Sequence, residues 1–440
     1  MNFSIGGKNK YRSLYSAIRA DILCGKMKSG EKLPSKRALA EELGVSVVTV
    51  QTAYEQLLAE GYITSRERSG YFVCEVAAIS PPARRERSAR AGEQPRKTYS
   101  LDLVKGSAPA ELFPFSVWAK LMRSVLSDEG EHLLERVPCD GDRELKNAIS
   151  SYLYRARGID ADPQCVVIGA GAEYLYGIIV ELLGNGCKIA VENPGYNKIS
   201  QSYLKSGARC EYIPVGANGI DCAMVEKSGA AAVHVSPSHQ FPTGAVMPVP
   251  ERARLIAYAE ARGAYIIEDD YDSEFRLSGK PLESAYSLCP DRVIYMNTFS
   301  KSLAPSMRMG YMVLPPALYK RYLEIFSQSA CVVPLFEQKT LAKLLDGGYF
   351  ERHIARLKNY YRGVREKLLA RLSKISGIEV RDTGSGLHMT VKVPGLSDVR
   401  IKAAAEGAGV NIKCLSDYLL APAEGYGRTA VINYSGFKVE

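Results

Sequence analysis

Five short apolar runs in the middle of this chain constrain its fold more than any other feature: Cys165-Val166-Val167-Ile168, Lys188-Ile189-Ala190-Val191, Ala231-Ala232-Val233-His234-Val235, Tyr265-Ile266-Ile267-Glu268 and Val293-Ile294-Tyr295-Met296. Each has the length of a strand buried on both faces, and amphipathic stretches separate them. From Leu101 onward this alternation predicts an α/β domain built on a largely parallel sheet. After about Ala317 the pattern turns helical, then mixed near Gly386 to Val393 and Thr429 to Tyr434, which predicts a smaller C-terminal α+β subdomain. At 440 residues the chain is longer than one ordinary core needs, so it is read as multidomain.

The first 76 residues follow a different rule. Three short helical patterns occupy them: Tyr11 to Cys24 with Leu14, Ile18, Ile22 and Leu23 on one face, Ser35 to Leu43 with Leu39 and Leu43, and Ser46 to Ala59 with Val50, Tyr54, Leu57 and Leu58. Ser35 and Ser46 are natural N-caps, and Gly44 falls where a tight turn joins the second helix to the third. Tyr62 to Val73 then reads as two strands about a charged turn. Helix, turn, helix and wing together predict a winged helix-turn-helix over 1–76. Residues 77–100 are rich in Ala, Arg, Pro and Ser without an apolar period and read as a basic, flexible linker, leaving 101–440 for the larger domain.

Charge follows the same division. Residues 1–76 carry 11 Lys and Arg against 8 Asp and Glu, residues 77–100 carry 6 against 2, and the remainder carries 40 against 38. Most of the excess therefore lies at the N-terminal end, where it suits a polyanion. No stretch approaches the ~18 apolar residues of a membrane span, and Met1 to Lys10 lacks the apolar segment of a signal peptide, so a cytoplasmic protein is expected. The ten cysteines show no close pairing of the metal-ligand or redox kind, so reduced thiols and no metal are expected.

Two motifs carry chemistry. Lys301 lies in Asn297-Thr298-Phe299-Ser300-Lys301-Ser302-Leu303-Ala304-Pro305-Ser306-Met307-Arg308, and Asp269 lies 32 residues earlier in Glu268-Asp269-Asp270-Tyr271-Asp272-Ser273-Glu274-Phe275. An amine nucleophile, an acid to keep a pyridinium nitrogen protonated and a cation for a phosphate are the three groups that a pyridoxal 5'-phosphate site needs. All three occur here, in the chain order acid (Asp269), amine (Lys301) and cation (Arg308), and Lys301 is the candidate catalytic residue.

The run Leu33-Pro34-Ser35-Lys36-Arg37-Ala38-Leu39-Ala40-Glu41-Glu42-Leu43-Gly44-Val45-Ser46-Val47-Val48-Thr49-Val50 resembles the winged helix-turn-helix of the GntR family of bacterial regulators, over about residues 11–74. The resemblance implies a double-stranded DNA operator, with the third helix in the major groove. Position by position it implies DNA contacts from Arg37, Ser46, Val48, Thr49 and Gln51, with Ser69 and Gly70 at the wing tip. The family usually has Arg after the turn serine; here that residue is Val47, which suits a thymine methyl and offers no hydrogen bond to guanine.

Residues from about 105 onward resemble fold-type I aminotransferases, and the whole chain is similar to the MocR subfamily of GntR regulators. The motifs that carry this are Gly169-Ala170-Gly171-Ala172-Glu173, Glu192-Asn193-Pro194-Gly195-Tyr196, Pro237-Ser238-His239-Gln240-Phe241-Pro242-Thr243-Gly244 and the Asp269 and Lys301 clusters. The resemblance implies an internal aldimine at Lys301, Asp269 on the pyridinium nitrogen and Tyr271 on the ring hydroxyl. It places the backbone of Ala172 and Glu173 on the phosphate with Thr298 and Arg308, and Tyr196 stacked on the ring. Aminotransferases commonly have Asn where this chain has Phe241; His239 or Gln240 is left to take its part. Arg428 is the candidate for an effector carboxylate. Members of the subfamily generally continue into another helix beyond the point where this sequence stops. The expected function is a pyridoxal phosphate-dependent, DNA-binding transcriptional regulator that senses a small amino compound, or the cofactor itself, as a homodimer of the head-to-tail kind. Residual transaminase activity is the most that is expected. The alternatives are a genuine aminotransferase with a DNA-binding appendage, and a DNA-binding protein whose large domain is a scaffold without cofactor.

Overall fold

The computed structural model describes residues 10–76, 99–104, 106, 108–279 and 282–437. The chain divides into two compact units, 1–97 and 98–440. Most of the expected linker, residues 77–98, lies outside the described residues. At its end, Ser100 donates its backbone N–H and its hydroxyl to the Gly409 carbonyl at 2.8 and 2.9 Å. Ser100 therefore belongs to the second unit, because those bonds tie it to a segment 309 residues away.

The first unit contains α1 (Lys10–Leu23), α2 (Lys36–Glu42), α3 (Val47–Ala59), β1 (Ile63–Arg66) and β2 (Gly70–Val73). These elements start and stop within a residue or so of the expected limits, and the caps show why. Ser35 accepts the Ala38 N–H and Ser46 accepts the Thr49 N–H, each at 3.2 Å, satisfying backbone donors that have no partner inside a helix. Between α2 and α3, Gly44 takes φ +61°, a conformation that strains any side chain. Leu14 and Ile18 of α1, Leu39 of α2, Val50, Tyr54 and Leu57 of α3 and Ile63 of β1 are almost fully buried together. Each such side chain stabilises the unit by roughly 1.5–3 kcal/mol. The Tyr54 hydroxyl donates to the Pro34 carbonyl at 2.9 Å, so α3 is tied to the segment leading into α2.

The second unit opens with β3 (Leu101–Asp102), α4 (Phe115–Glu129) and α5 (Arg143–Arg157). Its central part contains β4 (Val166–Gly169), α6 (Ala172–Leu183), β5 (Lys188–Asn193), α7 (Asn197–Lys205), β6 (Arg209–Gly216), β7 (Gly219–Ile220), α8 (Cys222–Ser228), β8 (Ala232–Val235), α9 (Val249–Arg262), β9 (Tyr265–Asp269), α10 (Ala285–Leu288), β10 (Val293–Thr298) and β11 (Gly310–Val313). The eight strands form one sheet in the order β4-β11-β10-β9-β8-β5-β6-β7. The five apolar runs are β4, β5, β8, β9 and β10, every residue of β4, β8 and β10 being buried. Helices cover both faces, which is why these strands lack a polar side. Not expected was the reversed strand β11, antiparallel to both β4 and β10.

The chain continues through α11 (Pro316–Phe326), α12 (Leu335–Asp346), α13 (Tyr349–Leu372), β12 (Glu379–Arg381), β13 (His388–Lys392), α14 (Asp398–Gly407), β14 (Val410–Asn411), β15 (Lys413–Cys414) and β16 (Thr429–Asn433). A small antiparallel sheet runs β12-β13-β16-β15, while β14 pairs with β3. The expected helical turn near Ala317 and the mixed subdomain thus correspond to α11 onward. All ten cysteines are free. No described helix is long and apolar enough to cross a membrane.

Candidate functional site

Strands β4, β5, β8, β9 and β10 run in one direction, so their carboxyl ends open on one edge of the sheet. The segments leaving that edge carry the expected site residues: Ala172 and Glu173 after β4, Tyr196 after β5, Asp269 and Tyr271 at and after β9, Thr298 and Lys301 at and after β10.

Asp269 is buried and held from behind. The Tyr176 hydroxyl donates to its Oδ2 at 2.7 Å, and His234 Nε2 stands 3.4 Å from the same oxygen. His234 is in turn within 2.7 Å of the Tyr203 hydroxyl through Nδ1. Tyr176, Tyr203 and His234 were not singled out in the sequence. The available signal was His234 itself, a polar residue inside an otherwise apolar strand run, where burial demands a partner.

Tyr271 donates its hydroxyl to the His239 carbonyl at 3.0 Å, and burial pushes its pKa well above the ordinary phenol, so it keeps its proton. The His239 ring turns to Asp272, Nδ1 to Oδ2 at 3.0 Å, and lies 4.2 Å from the His388 ring between centroids. One ligand-type atom from each of His239, Asp272 and His388 falls within 4.8 Å of the others. Gln240 is occupied elsewhere: its amide nitrogen donates to the Pro194 carbonyl at 3.0 Å and its oxygen accepts the Thr243 hydroxyl at 2.6 Å. Of the two residues left to take the place of the missing Asn, Gln240 is therefore committed to holding its own loop.

The Lys301 ammonium donates to the Gly106 carbonyl at 2.9 Å. Burial lowers its pKa below the ordinary lysine value, an effect that the nearby Asp272 carboxylate offsets in part. Asn433 Nδ2 and Ser435 Oγ crowd the same point beside Gly106, so the end of β16 and the loop after it also reach Lys301. Gly106, Asn433 and Ser435 lie far from Lys301 in sequence and carry no motif of their own.

At the other end of the site, α6 begins at Ala172 without a side-chain cap, so its first N–H groups remain open to an anion. Gly171 takes φ +87°, and Arg308 guanidinium atoms lie 3.3 Å from where a Cβ on Gly171 would sit. The Thr298 methyl and Leu175 of α6 both approach Gly310, which brings Thr298 to the first turn of α6. The Glu173 side chain faces Lys198 at 3.4 Å near solvent, leaving only its backbone toward the site. Tyr196 is 46% exposed, with its ring edge-on to Phe241 at 6.1 Å.

Arg428 is not brought to Lys301. It is exposed, takes φ +62°, and points its guanidinium at the Pro394 carbonyl at 3.3 Å. It precedes β16 by one residue, while Asn433 ends that strand; five residues at ~3.3 Å each separate the two positions by roughly 16 Å.

In the first unit, Arg37, Ser46 and Val48 are exposed, Val48 at 70%. Ser46 and Thr49 share a hydroxyl contact of 2.8 Å at the start of α3, and the Gln51 amide donates to Glu55 at 2.8 Å. Val47, 42% exposed, is the first residue of α3. Ser69 and Gly70 close the wing turn, Gly70 with φ +112°.

Comparison with known proteins gives the same two parts. Residues 10–73 match the gntR family of bacterial regulatory proteins, and residues 106–433 match aminotransferase class I and II. The chain is 33% identical to the probable rhizopine catabolism regulatory protein MocR of Rhizobium meliloti, over 97% of this chain and 90% of that protein. This chain belongs to the MocR subfamily of GntR-type transcriptional regulators. Another relative of this MocR-type regulator is YdeL of Bacillus subtilis, an HTH-type transcriptional regulator 37% identical over 87% of this chain and 84% of that protein. The aminotransferase-like unit of the MocR-type chain is similar to a multiple substrate aminotransferase from Thermococcus profundus, with a TM-score of 0.69 at 25% identity, covering 78% and 88% of the two chains.

The residues present fit pyridoxal 5'-phosphate, the cofactor of that domain family. A buried lysine whose pKa is lowered by desolvation, a carboxylate anchored by a buried tyrosine, and an open helix N-terminus beside a guanidinium supply the amine, acid and anion receptor that the group requires.

Proposed function

We propose that this MocR-type regulator binds pyridoxal 5'-phosphate at Lys301 and converts the arrival of a small amino compound, or of the cofactor itself, into a change of affinity for double-stranded DNA. The observation that supports this best is the position of the Lys301 amine, desolvated and held on Gly106 at the strand-end edge that also carries Asp269. Bound pyridoxal phosphate supplies an aldehyde that condenses with primary amines.

The protein's own residues have distinct parts. Lys301 is the amine nucleophile, and its lowered pKa raises the fraction in the neutral, reactive form. Asp269, fixed by Tyr176 and approached by His234, presents a carboxylate to the ring nitrogen. Tyr271 keeps its hydroxyl proton, which would turn from the His239 carbonyl to the ring oxygen. The first N–H groups of α6 at Ala172 and Glu173, with Thr298 and Arg308, hold the phosphate. Tyr196 covers the ring face. On the DNA side, Val48, Thr49 and Gln51 read base edges, Arg37 and Ser46 meet phosphates, and Ser69 and Gly70 bring the wing tip to the backbone. Dimerisation suits both units, since paired winged helices match paired half-sites. Coupling then requires the effector to bind two arrangements of the dimer with different affinity.

The test is a visible spectrum of the purified chain and of Lys301→Ala, followed by DNA binding to the upstream region of its own gene during titration with amines. A cofactor band lost in the variant, with DNA affinity that responds to an amine and no keto acid released, is the expected result. Keto acid accumulation with unchanged DNA affinity favours the aminotransferase reading, and absence of the band defeats both.

A further inference from the structure

The two ends of the Lys301 site are built differently. Toward Gly171 stand a helix N-terminus and the Arg308 guanidinium, a receptor for an anion. The opposite end is formed by the small sheet and the loop after β8. Along β16, Val431 and Asn433 share a face, since side chains alternate along a strand. His388 is paired directly with Asn433 and belongs to that face as well. Asn433 Nδ2 meets the same point beside Gly106 as the Lys301 ammonium, so this face looks onto Lys301.

What it offers is apolar. Val431 packs with Leu415 and Tyr418, and Phe241 and Tyr426 close over them. The Phe241 ring stands edge-on to Tyr418 and to His388, each at 5.0 Å, and to Tyr196 at 6.1 Å. Edge-on aromatic contacts of this kind leave ring faces for a further apolar body.

The groups around the Lys301 ammonium that accept hydrogen bonds or carry negative charge are the Gly106 carbonyl, the Asp272 carboxylate and the imidazole of His388, against one amide donor, Asn433 Nδ2, whose own Oδ1 takes the Ser435 hydroxyl at 2.7 Å. Nε2 of His239 and Nε2 of His388 are buried without a hydrogen-bond partner. Burial, the neighbouring His239 and Lys301 all keep His388 neutral. A carboxylate brought here would be desolvated beside Asp272 with aromatic rings behind it, which is unfavourable. An ammonium approaching the same place is drawn by Asp272. A cation does touch this wall: Lys413, paired across from Val431, holds its ammonium 5.3 Å from the Tyr418 ring centroid on an exposed side chain.

We propose that the effector of this site is a primary amine that carries no carboxylate and lays an aromatic or aliphatic body against Phe241, with Tyr418 and Val431 forming the apolar layer behind it. The proposal rests on the reading of Lys301 as the cofactor lysine and narrows it to a class of ligand.

Matched probes that differ by one carboxylate test it: tyramine against tyrosine, titrated into the cofactor-loaded full chain while its visible band is followed. Tyramine is expected to perturb the band with an apparent Kd more than about tenfold lower than that of tyrosine, the size of effect set by desolvating an unpaired charged group. Val431→Arg, which sets a guanidinium into the wall, is expected to reverse the order. Val431→Ser, which adds no charge, is expected to keep it. Tyrosine binding as well as or better than tyramine overturns the proposal, and loss of that binding in Lys413→Ala would identify Lys413 as the carboxylate receptor. A protein that shows the band yet does not respond to tyramine also overturns it. If the band is absent, or survives unchanged in Lys301→Ala, the cofactor reading itself has failed, and the effector class falls with it for that separate reason.

Discussion

The Tyr176 hydroxyl donates to Oδ2 of Asp269 at 2.7 Å, joining α6 to the last residue of β9. Tyr176 lies about one turn into the helix whose N-terminus opens at Ala172. One rigid element therefore sets both the anion receptor and the carboxylate. The spacing between them does not depend on a loop.

Tyr176→Phe removes one hydrogen bond to a carboxylate, an interaction worth roughly 1.5–3 kcal/mol, and is expected to weaken cofactor retention about tenfold or more. His234→Phe is expected to act in the same direction. Cofactor dissociation constants from absorbance titration check this. Retention equal to the parent in both variants would show that Asp269 needs no support.

The lowered pKa of Lys301 has two consequences of known sign. The unfolded chain binds the proton more tightly than the folded one, so Lys301 makes folding less favourable at pH below its folded pKa. That penalty is relieved as pH rises from the folded value toward the ordinary 10.5. The rate at which cofactor-free protein captures pyridoxal phosphate is expected to rise with pH, with a midpoint below that of an exposed lysine. A stopped-flow pH profile reads this directly, and a midpoint at the ordinary lysine value would contradict it.

Burial, with a smaller contribution from Asp269, pushes the Glu192 carboxyl up to about 8, so it is largely neutral at pH 7. Its folded pKa exceeds its unfolded one, so its contribution to stability falls as pH rises from about 4.5 to about 8. Glu192→Gln copies the neutral form. Its thermal midpoint is expected to gain on the parent between pH 5 and pH 8 and to hold a constant lead above that, by roughly 2–4 °C per kcal/mol. Parallel melting curves across that range would refute the assignment.

For DNA, Arg37→Ala is expected to weaken binding to all sequences alike and to reduce the slope of log K against log salt by about 1, as loss of one phosphate contact does. Val48→Ala, which removes an exposed apolar group at the start of α3, is expected to leave that slope unchanged and to relax sequence preference. Fluorescence anisotropy at several salt concentrations separates the two.

Much of the first unit is legible because its signals are local. Ser35 and Ser46 cap helices within three residues of themselves, and Gly44 satisfies a turn that only its own backbone defines. The Lys301 and Asp269 motifs are legible for a chemical reason, since few other functions call for an acid, an amine and a cation for an anion in that order along a chain. The apolar runs identify the strands of the large sheet, because burial on both faces leaves no polar alternation. They do not reveal that β11 runs backwards between β4 and β10, for direction depends on the connection and not on composition.

Neighbours along the chain therefore set the kind of element at each place and the chemistry of the two central residues. Tertiary structure alone decided who stands beside them. Tyr176, Tyr203 and His234 come to Asp269 from α6, α7 and β8. Gly106 reaches Lys301 across 195 residues. Arg428 and Asn433 share a single strand region, yet only Asn433 meets Lys301. The reason is geometric: a strand carries its residues apart by ~3.3 Å at each step and alternates their faces, so the packing of that strand, and not the residue type, selects which side chain enters the site.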